Sequence, residues 1–461
     1  MDHSRNDLLA QGNIHIEGAS NDFFRVFGIR TLLHQCGMRK HHGYSSGMIL
    51  GVVFNLAFLG VNFFRGVVVN DHAPIGKDAA YDFLKGVSSN WRRFLLLTAV
   101  KIHALFRSLS AEDREPVLII DDSIYDRSRS KKVELLSRVF DHSTGRYLKG
   151  FRMLTLCWSD GVSCLPLDFG LLASSDAKKR CCGASKSMDK RCCAYRRRKE
   201  AVQKATDNAR AMVKRALNAG VKARYVLMDS WFTMPTMVSA LKKHVDVIGM
   251  VKKTPNVKYG FDGESLCLKD IYKKLKKRPG RAKILASVQA TLKGGLVVKL
   301  VFVRDRRKKD WLALLSTDLE LEDKEVVRIY GKRWDIEVFF KMAKQHLRLA
   351  KEIQIRDYDG LIAHTSIVFL RYMFVAYRCR METDQRTFGD LFYACCQEMA
   401  DISFVEALAR VFTLTVDHAA KLGALGAKAL NELFDGLLTT ALQLTGISPS
   451  QLKLVNPDPE S

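Results

Sequence analysis

The chain has 461 residues, 47% of them hydrophobic, and a formal net charge of +25. That length and apolar content exclude a disordered chain and predict two or three domains with real cores. The charge points to a polyanionic partner, nucleic acid above all, rather than to a merely basic soluble protein. Eleven cysteines in a chain this long do not make a disulfide scaffold. The opening residues carry no apolar segment behind a basic start, so no secretory leader is expected. Basic residues gather in runs: Arg127 to Lys132, Arg196 to Lys199, Lys273 to Arg281 and Arg304 to Lys309.

In chain order, residues 1–112 read as a helical N-terminal DNA-binding domain, although no helix-turn-helix can be assigned. Within it Met48 to Phe64 is apolar enough to approach a membrane span, but Asn55, Asn62, Gly51 and Gly60 predict a buried helix instead. Asp78 to Lys85, Asn90 to Thr98 and Val100 to Leu109 show helical apolar spacing. At Val117–Ile120 a short, fully apolar run predicts a buried strand that closes on Asp121 and Asp122. Phe151–Trp158 and Val162–Phe169, joined at Ser159 to Gly161, predict a hairpin.

A basic segment then carries two vicinal cysteine pairs, Cys181-Cys182 and Cys192-Cys193. Structural zinc sites usually separate paired ligands by two to four residues, so adjacent thiols fit zinc poorly, and a solvated basic linker is expected. A helix from about Glu200 to Asn218, a strand at Arg224–Met228 ending in Asp229, a helix near Pro235 to Lys243 and a strand at Asp246–Val251 follow. This alternation predicts a mixed sheet covered by helices. Between about 253 and 318 the period becomes two, which predicts an antiparallel β insertion with strands near Ala282–Leu292, Leu296–Val303 and Trp311–Thr317. Residues 381–461 read as a helical C-terminal region, leaving 113–380 as the catalytic domain.

The segment from Val326 to Lys344 is the most informative. Advanced at about 100° per residue as one helix, Tyr330, Arg333, Glu337, Lys341 and Lys344 fall within an arc of roughly 80°. The other side carries Ile329, Ile336, Phe340, Ala343 and Leu347. One carboxylate flanked by an arginine, lysines and a phenol is an odd surface for a structural helix. It suits an enzyme that holds a metal ion against a nucleic acid backbone.

The spacing Tyr-x2-Arg-x3-Glu-x6-Lys at Tyr330, Arg333, Glu337 and Lys344 resembles the signature of the insertion-sequence-four family of bacterial DDE transposases. The resemblance covers roughly Pro116 to Leu347. It implies an α/β, ribonuclease-H-like catalytic fold in which two more acids sit at the ends of buried strands. Asp122 is read as the first, because the family's acid is followed by a small hydroxyl residue and Ser123 supplies it. Asp121 is its rival, since consecutive strand residues point to opposite faces. Asp229 is the second acid and Glu337 the third.

Together the three acids would be catalytic and would hold two Mg2+ ions about 3.5–4 Å apart, with Mn2+ able to substitute. The resemblance further implies phosphate contacts from Tyr330, Arg333 and Lys344, with Lys341 on the same surface. It implies a flipped base stacked on Trp311, within a Trp-Leu-x-Leu strand. The expected activity is cut-and-paste transposition of an insertion sequence: end nicking, a hairpin intermediate and strand transfer. Expected partners are double-stranded DNA, as terminal repeats and target, and a second copy of the chain; the expected location is the bacterial cytoplasm, at the nucleoid. A non-joining nuclease and a transposase-derived DNA-binding regulator are the alternatives.

Overall fold

The computed structural model describes residues 14–454 apart from 17, 72, 112–113, 143, 186–187, 280–281, 306–309, 382–385 and 422–425. The ends of two of the expected basic runs, at Arg281 and at 306–309, lie outside the described residues. The chain divides into two compact units, one made of residues 84–351 and 355–382, the other of residues 1–83, 352–354 and 383–461.

The first of these contains one mixed sheet, eleven-stranded among the described residues. Strand β1 (Val117–Asp126) runs on past its apolar opening, because Asp122 to Asp126 continue pairing with β3 (Arg146–Ser159). On one edge, β2 (Ser137–Asp141) and β4 (Cys164–Leu172) each pair antiparallel with β3. On the other side, β5 (Tyr225–Met228) joins β1 in parallel, and β6 (Asp246–Val251) joins β5 in parallel. The parallel crossovers need helices, and α3 (Ala205–Asn218) and α4 (Pro235–Lys242) supply them. Four strands joined in antiparallel pairs and two more joined in parallel, flanked by helices, fit the expected ribonuclease-H-like pattern.

The expected β insertion does not stand apart. After β7 (Lys258–Phe261), β8 (Glu264–Cys267) and the helix α5 (Leu268–Lys274), strands β9 (Ile284–Leu292), β10 (Val297–Asp305) and β11 (Asp310–Ser316) extend the same sheet. The link is β11, which pairs antiparallel with β6 from Ala313–Val251 to Ser316–Ile248. An edge left open at β6 would expose a row of backbone donors and acceptors; β11 covers it.

Two helices expected elsewhere belong to this unit. Helix α1 (Trp91–Ser108), read as part of the N-terminal domain, buries Trp91, Phe94, Leu95, Ala99, Ile102 and Phe106 within the catalytic unit. Helix α8 (Tyr358–Met381) is long and apolar enough to cross a membrane, and 94% of its apolar window is buried inside the protein. It is the core helix of the unit. The basic run at Arg196 to Lys199 lies in α2 (Cys193–Ala201), and its middle faces inward. Arg198 grips Glu134 with two bonds of 2.7 and 2.6 Å and reaches Asp359 at 2.6 Å, while Arg197 meets the same Asp359 at 2.8 Å. These two cations serve the fold, not a solvated surface. Nearby, the Cys192 sulfur caps α2 at Tyr195 N–H and the Cys182 thiol donates to the Lys131 carbonyl.

The second unit combines helices from both ends of the chain, which the sequence had suggested as separate regions. Ala19–Val26, Ile29–Gln35 and Ser46–Asn55 join Phe388–Lys421 and Ala427–Thr445. Phe24 meets Phe54 edge-on, Phe58 packs against Phe54 at a tilt, and Phe58 meets Phe392 at 5.6 Å. Ile14–Ile16 pairs antiparallel with Leu452–Leu454.

Candidate active site

The segment from Val326 to Lys344 is not one helix. It forms α6 (Asp323–Gly331) and α7 (Trp334–Gln345), with Lys332 and Arg333 in a tight turn between them. There the amide of Lys332 bonds Ile329, that of Arg333 bonds Tyr330 and that of Asp335 bonds Lys332, each three residues back. These tighter bonds interrupt the helix but keep Ile329, Ile336, Phe340 and Ala343 all buried. Arg333 therefore stands at the start of α7, one turn before Glu337.

Helix α7 lies over one face of β1. Lys344 donates to the Ser123 hydroxyl at 2.6 Å. Arg333 donates to Asp121 at 2.8 Å and, from its other terminal nitrogen, to Glu337. Asp121 and Ser123 are two residues apart on a strand, so both point to the α7 side. Asp122 points the other way, where it pairs with Arg152. The β1–β5 register pairs Ile119 with Leu227 and Ile120 with Met228, and Asp229 follows directly where that pairing ends. The structure thus links Asp121 to Glu337 through Arg333 and pairs the expected Asp122 with Arg152, with Asp229 a charged neighbour of both adjacent acids.

A local turn fixes Asp229. Its Oδ1 accepts the amides of Trp231 at 3.0 Å and Phe232 at 3.2 Å, and its carbonyl accepts the Thr233 hydroxyl at 2.7 Å. Gly249 on β6 makes room for this turn, because a Cβ there would collide with Thr233 Oγ1.

Burial sets the electrostatics. It pushes Asp121 up to about 7, with Asp229 and Asp122 adding to the effect and Arg333 opposing it. Burial also raises Asp122, against the pull of Arg152. Tyr330 is raised by burial, with Asp229 and Asp121 nearby and Arg333 opposing. Lys344 is lowered by burial. An enclosed group of acids next to an arginine and a phenol is the environment in which carboxylates are tuned for work. Asp121 and Glu337 already share one positive charge, the Arg333 guanidinium, so two oxygen donors converge on a cation. All-oxygen donors of this kind suit a hard divalent ion. As placed, no three acid, histidine or cysteine side chains among the described residues surround one point.

The remaining expected residues divide. Lys341 is exposed on α7, as a phosphate contact requires. Trp311 does not offer a ready stacking face: Tyr272 of α5 stacks on it at 4.5 Å, Phe302 abuts it at 5.3 Å, and Lys253 Nζ lies 4.0 Å from its centroid. Its ring is engaged within the extended sheet, remote in sequence from the acids and unlike a waiting base pocket. Trp231 was not singled out by the sequence, yet it is exposed and two residues from Asp229. Its position directly after a strand-ending acid was the available signal.

Comparison with known families bears on this geometry. The family described as DDE superfamily endonuclease matches residues 68–264, and the one described as transposase DDE domain matches residues 193–374. These matches support a DDE transposase family for the chain. Together they span every strand of the catalytic sheet, together with α6 and α7. No curated protein matches the chain. DDE domains of these kinds support a transposase-type DNA nuclease, imply DNA as substrate and generally use divalent metal ions.

Proposed function

We propose that this chain is a transposase that cuts the ends of a mobile DNA element and joins the freed 3′-hydroxyls to target DNA by metal-dependent phosphoryl transfer. One observation carries the reading: Arg333, at the start of the helix that bears Glu337, joins Asp121 to Glu337, and Asp229 directly follows the neighbouring strand β5. Asp121, Asp229 and Glu337 would hold magnesium, whose chemistry when bound is to activate the attacking oxygen and neutralise the departing one. Asp122 is kept as a neighbour that anchors Arg152.

The other side chains have positioning roles. Arg333 holds Asp121 and Glu337 together and has the planar fork to grip a phosphate when a DNA strand enters. Lys344 and Lys341 lie farther along α7, where the strand's next phosphates would pass, and Tyr330 closes the site against water. The proposed course is end nicking, attack of the freed 3′-hydroxyl on the opposite strand to give a hairpin, hairpin opening and strand transfer. Two ends must be joined, so the active complex is a homodimer working on nucleoid DNA in the cytoplasm.

The test is incubation of the protein with the DNA flanking its own gene, with and without magnesium. Metal-dependent nicks at the element ends, followed by joined products, support the reading. Nicks without joining would indicate a nuclease, and binding without nicks a DNA-binding regulator. Binding to the ends should also weaken steeply with salt, as counterions are released from each neutralised phosphate.

A further inference from the structure

The hairpin of β2 and β3 carries a row of rings that the acid site does not use. Phe140 and Tyr147 form a cross-strand pair with centroids 5.1 Å apart. His142 lies 5.0 Å from Phe140 and 6.0 Å from Trp231, so the row runs from Tyr147 to Trp231 without a gap. It is open to solvent: Tyr147 is 71% exposed, Trp231 49% and Phe140 38%. Its inner end is tied to the site, because the Trp231 amide donates to Asp229 at 3.0 Å.

Cations gather around the row, beside Asp141 between Phe140 and His142 and Asp229 at its inner end. Lys252 Nζ sits 5.3 Å and the Arg152 guanidinium 5.4 Å from the Trp231 centroid. Arg138, exposed and two residues before Phe140 on β2, shares the face of the Phe140–Tyr147 pair. Arg152 is held by Asp122, which fixes the indole from behind and gives Asp122 a structural task. Exposed aromatic faces interleaved with cations complement a chain of flat bases joined by phosphates. A base pair inside a duplex hides its faces in the stack, so rings such as these can be covered only by unpaired bases.

We propose that Tyr147, Phe140, His142 and Trp231 form a stacking row for unpaired nucleotides of the DNA strand next to the cleaved bond. Lys252 and Arg138 bind the phosphates of that strand. The row holds open the end that Asp229 helps to cut, a task Trp311 cannot perform while stacked on Tyr272. This inference rests on the transposase reading, but its binding test does not.

The experiment measures affinity by fluorescence anisotropy, without divalent metal, for three probes: an oligo-dT single strand, an abasic strand of the same length, and a duplex. Tyr147→Ala and Trp231→Ala should each weaken oligo-dT binding about tenfold, the loss expected for one stacked base. Binding of the abasic strand and the duplex should stay unchanged, and Trp231→Phe should keep most of the oligo-dT affinity. Thermal melts of both alanine variants should match the parent, since both rings are surface-exposed. Unchanged oligo-dT affinity overturns the proposal, and so does an equal loss on the abasic strand, which would make the surface a charged patch only. Cleavage of the element ends is scored separately with magnesium. A selective oligo-dT loss in a protein that never cleaves would keep the row and sink the transposase reading; cleavage without the selective loss would do the reverse.

Discussion

Arg333 donates to Asp121 at 2.8 Å across the gap between α7 and the central strand. The same guanidinium holds Glu337, so one side chain neutralises two of the three proposed metal ligands. A cation in that position keeps the largely buried Asp121 and the half-exposed Glu337 from repelling each other.

The first prediction follows from that arrangement. Arg333→Ala should lower the melting temperature of the metal-free protein, and added magnesium should recover more stability in the variant than in the parent. Cleavage should fall by about 10²–10³, the usual cost of losing one donor at a charged transition state, while end binding changes far less. Arg333→Lys keeps the charge but cannot span both acids, so it should restore melting better than cleavage. Equal losses of binding and cleavage in Arg333→Ala would remove the arginine from the scissile phosphate.

The second prediction separates the two adjacent acids. Asp121→Asn and Glu337→Gln should abolish nicking and leave binding to element ends nearly intact, because the amides keep the shape but lose the charge that holds a cation. Asp122→Asn should retain nicking and instead loosen Arg152 and the Trp231 ring above it. Nicking assays and gel-shift binding on the three variants decide the matter. Loss of nicking in Asp122→Asn with normal activity in Asp121→Asn would reverse the assignment.

Which of the two adjacent acids faces Arg333 and Glu337 is a matter of register. The apolar run Val117–Ile120 shows that a buried strand ends in two acids, and the strand period shows that they face opposite ways. Which face lies under the third acid depends on Ser123 meeting Lys344 and on alignment with β5, and neither is visible in the strand's own residues. The break at Lys332 and Arg333 was hidden for a related reason: α6 and α7 bury the same apolar side, so the helical period passes through the turn unchanged. Arg197 and Arg198 looked like surface charge because their partners, Glu134 and Asp359, lie far off in sequence. The apolar starts of β1 and β5 were legible because each is a local apolar run, whereas the extension of β1 to Asp126 depends on its pairing with β3.

Trp311 gives the third prediction. Its stacking on Tyr272 and contact with Phe302 make it part of the extended sheet. Trp311→Ala should cost about 2 kcal/mol, below the range for a fully buried aromatic because the ring is half exposed. Nicking, hairpin and joined products should then decline together, in step with the lower melting temperature. A variant that melts normally but accumulates nicked ends would return the base-stacking role to Trp311.

The last prediction concerns pH. His103 on α1 is 3% exposed, lies edge-on to Trp158 at 4.9 Å, and accepts the Lys222 amide at 3.4 Å through Nε2. Burial, helped by Arg107, pushes its pKa from 6.5 down to about 4. The folded state therefore keeps the ring neutral at pH values where the unfolded chain has already taken up a proton. Its contribution is complete above about pH 6.5 and is lost as pH falls toward about 4, at most about 3 kcal/mol at 1.36 kcal/mol per pKa unit. Asp121 and Asp122, raised by burial, work in the opposite sense and favour the folded state as pH falls. The readout must therefore be the difference between the parent and His103→Gln, which keeps an acceptor for Lys222 but cannot charge. In urea unfolding between about pH 7 and pH 5, the parent should lose more stability than the variant. Parallel curves would mean that His103 is protonated as readily in the folded protein as in the unfolded chain.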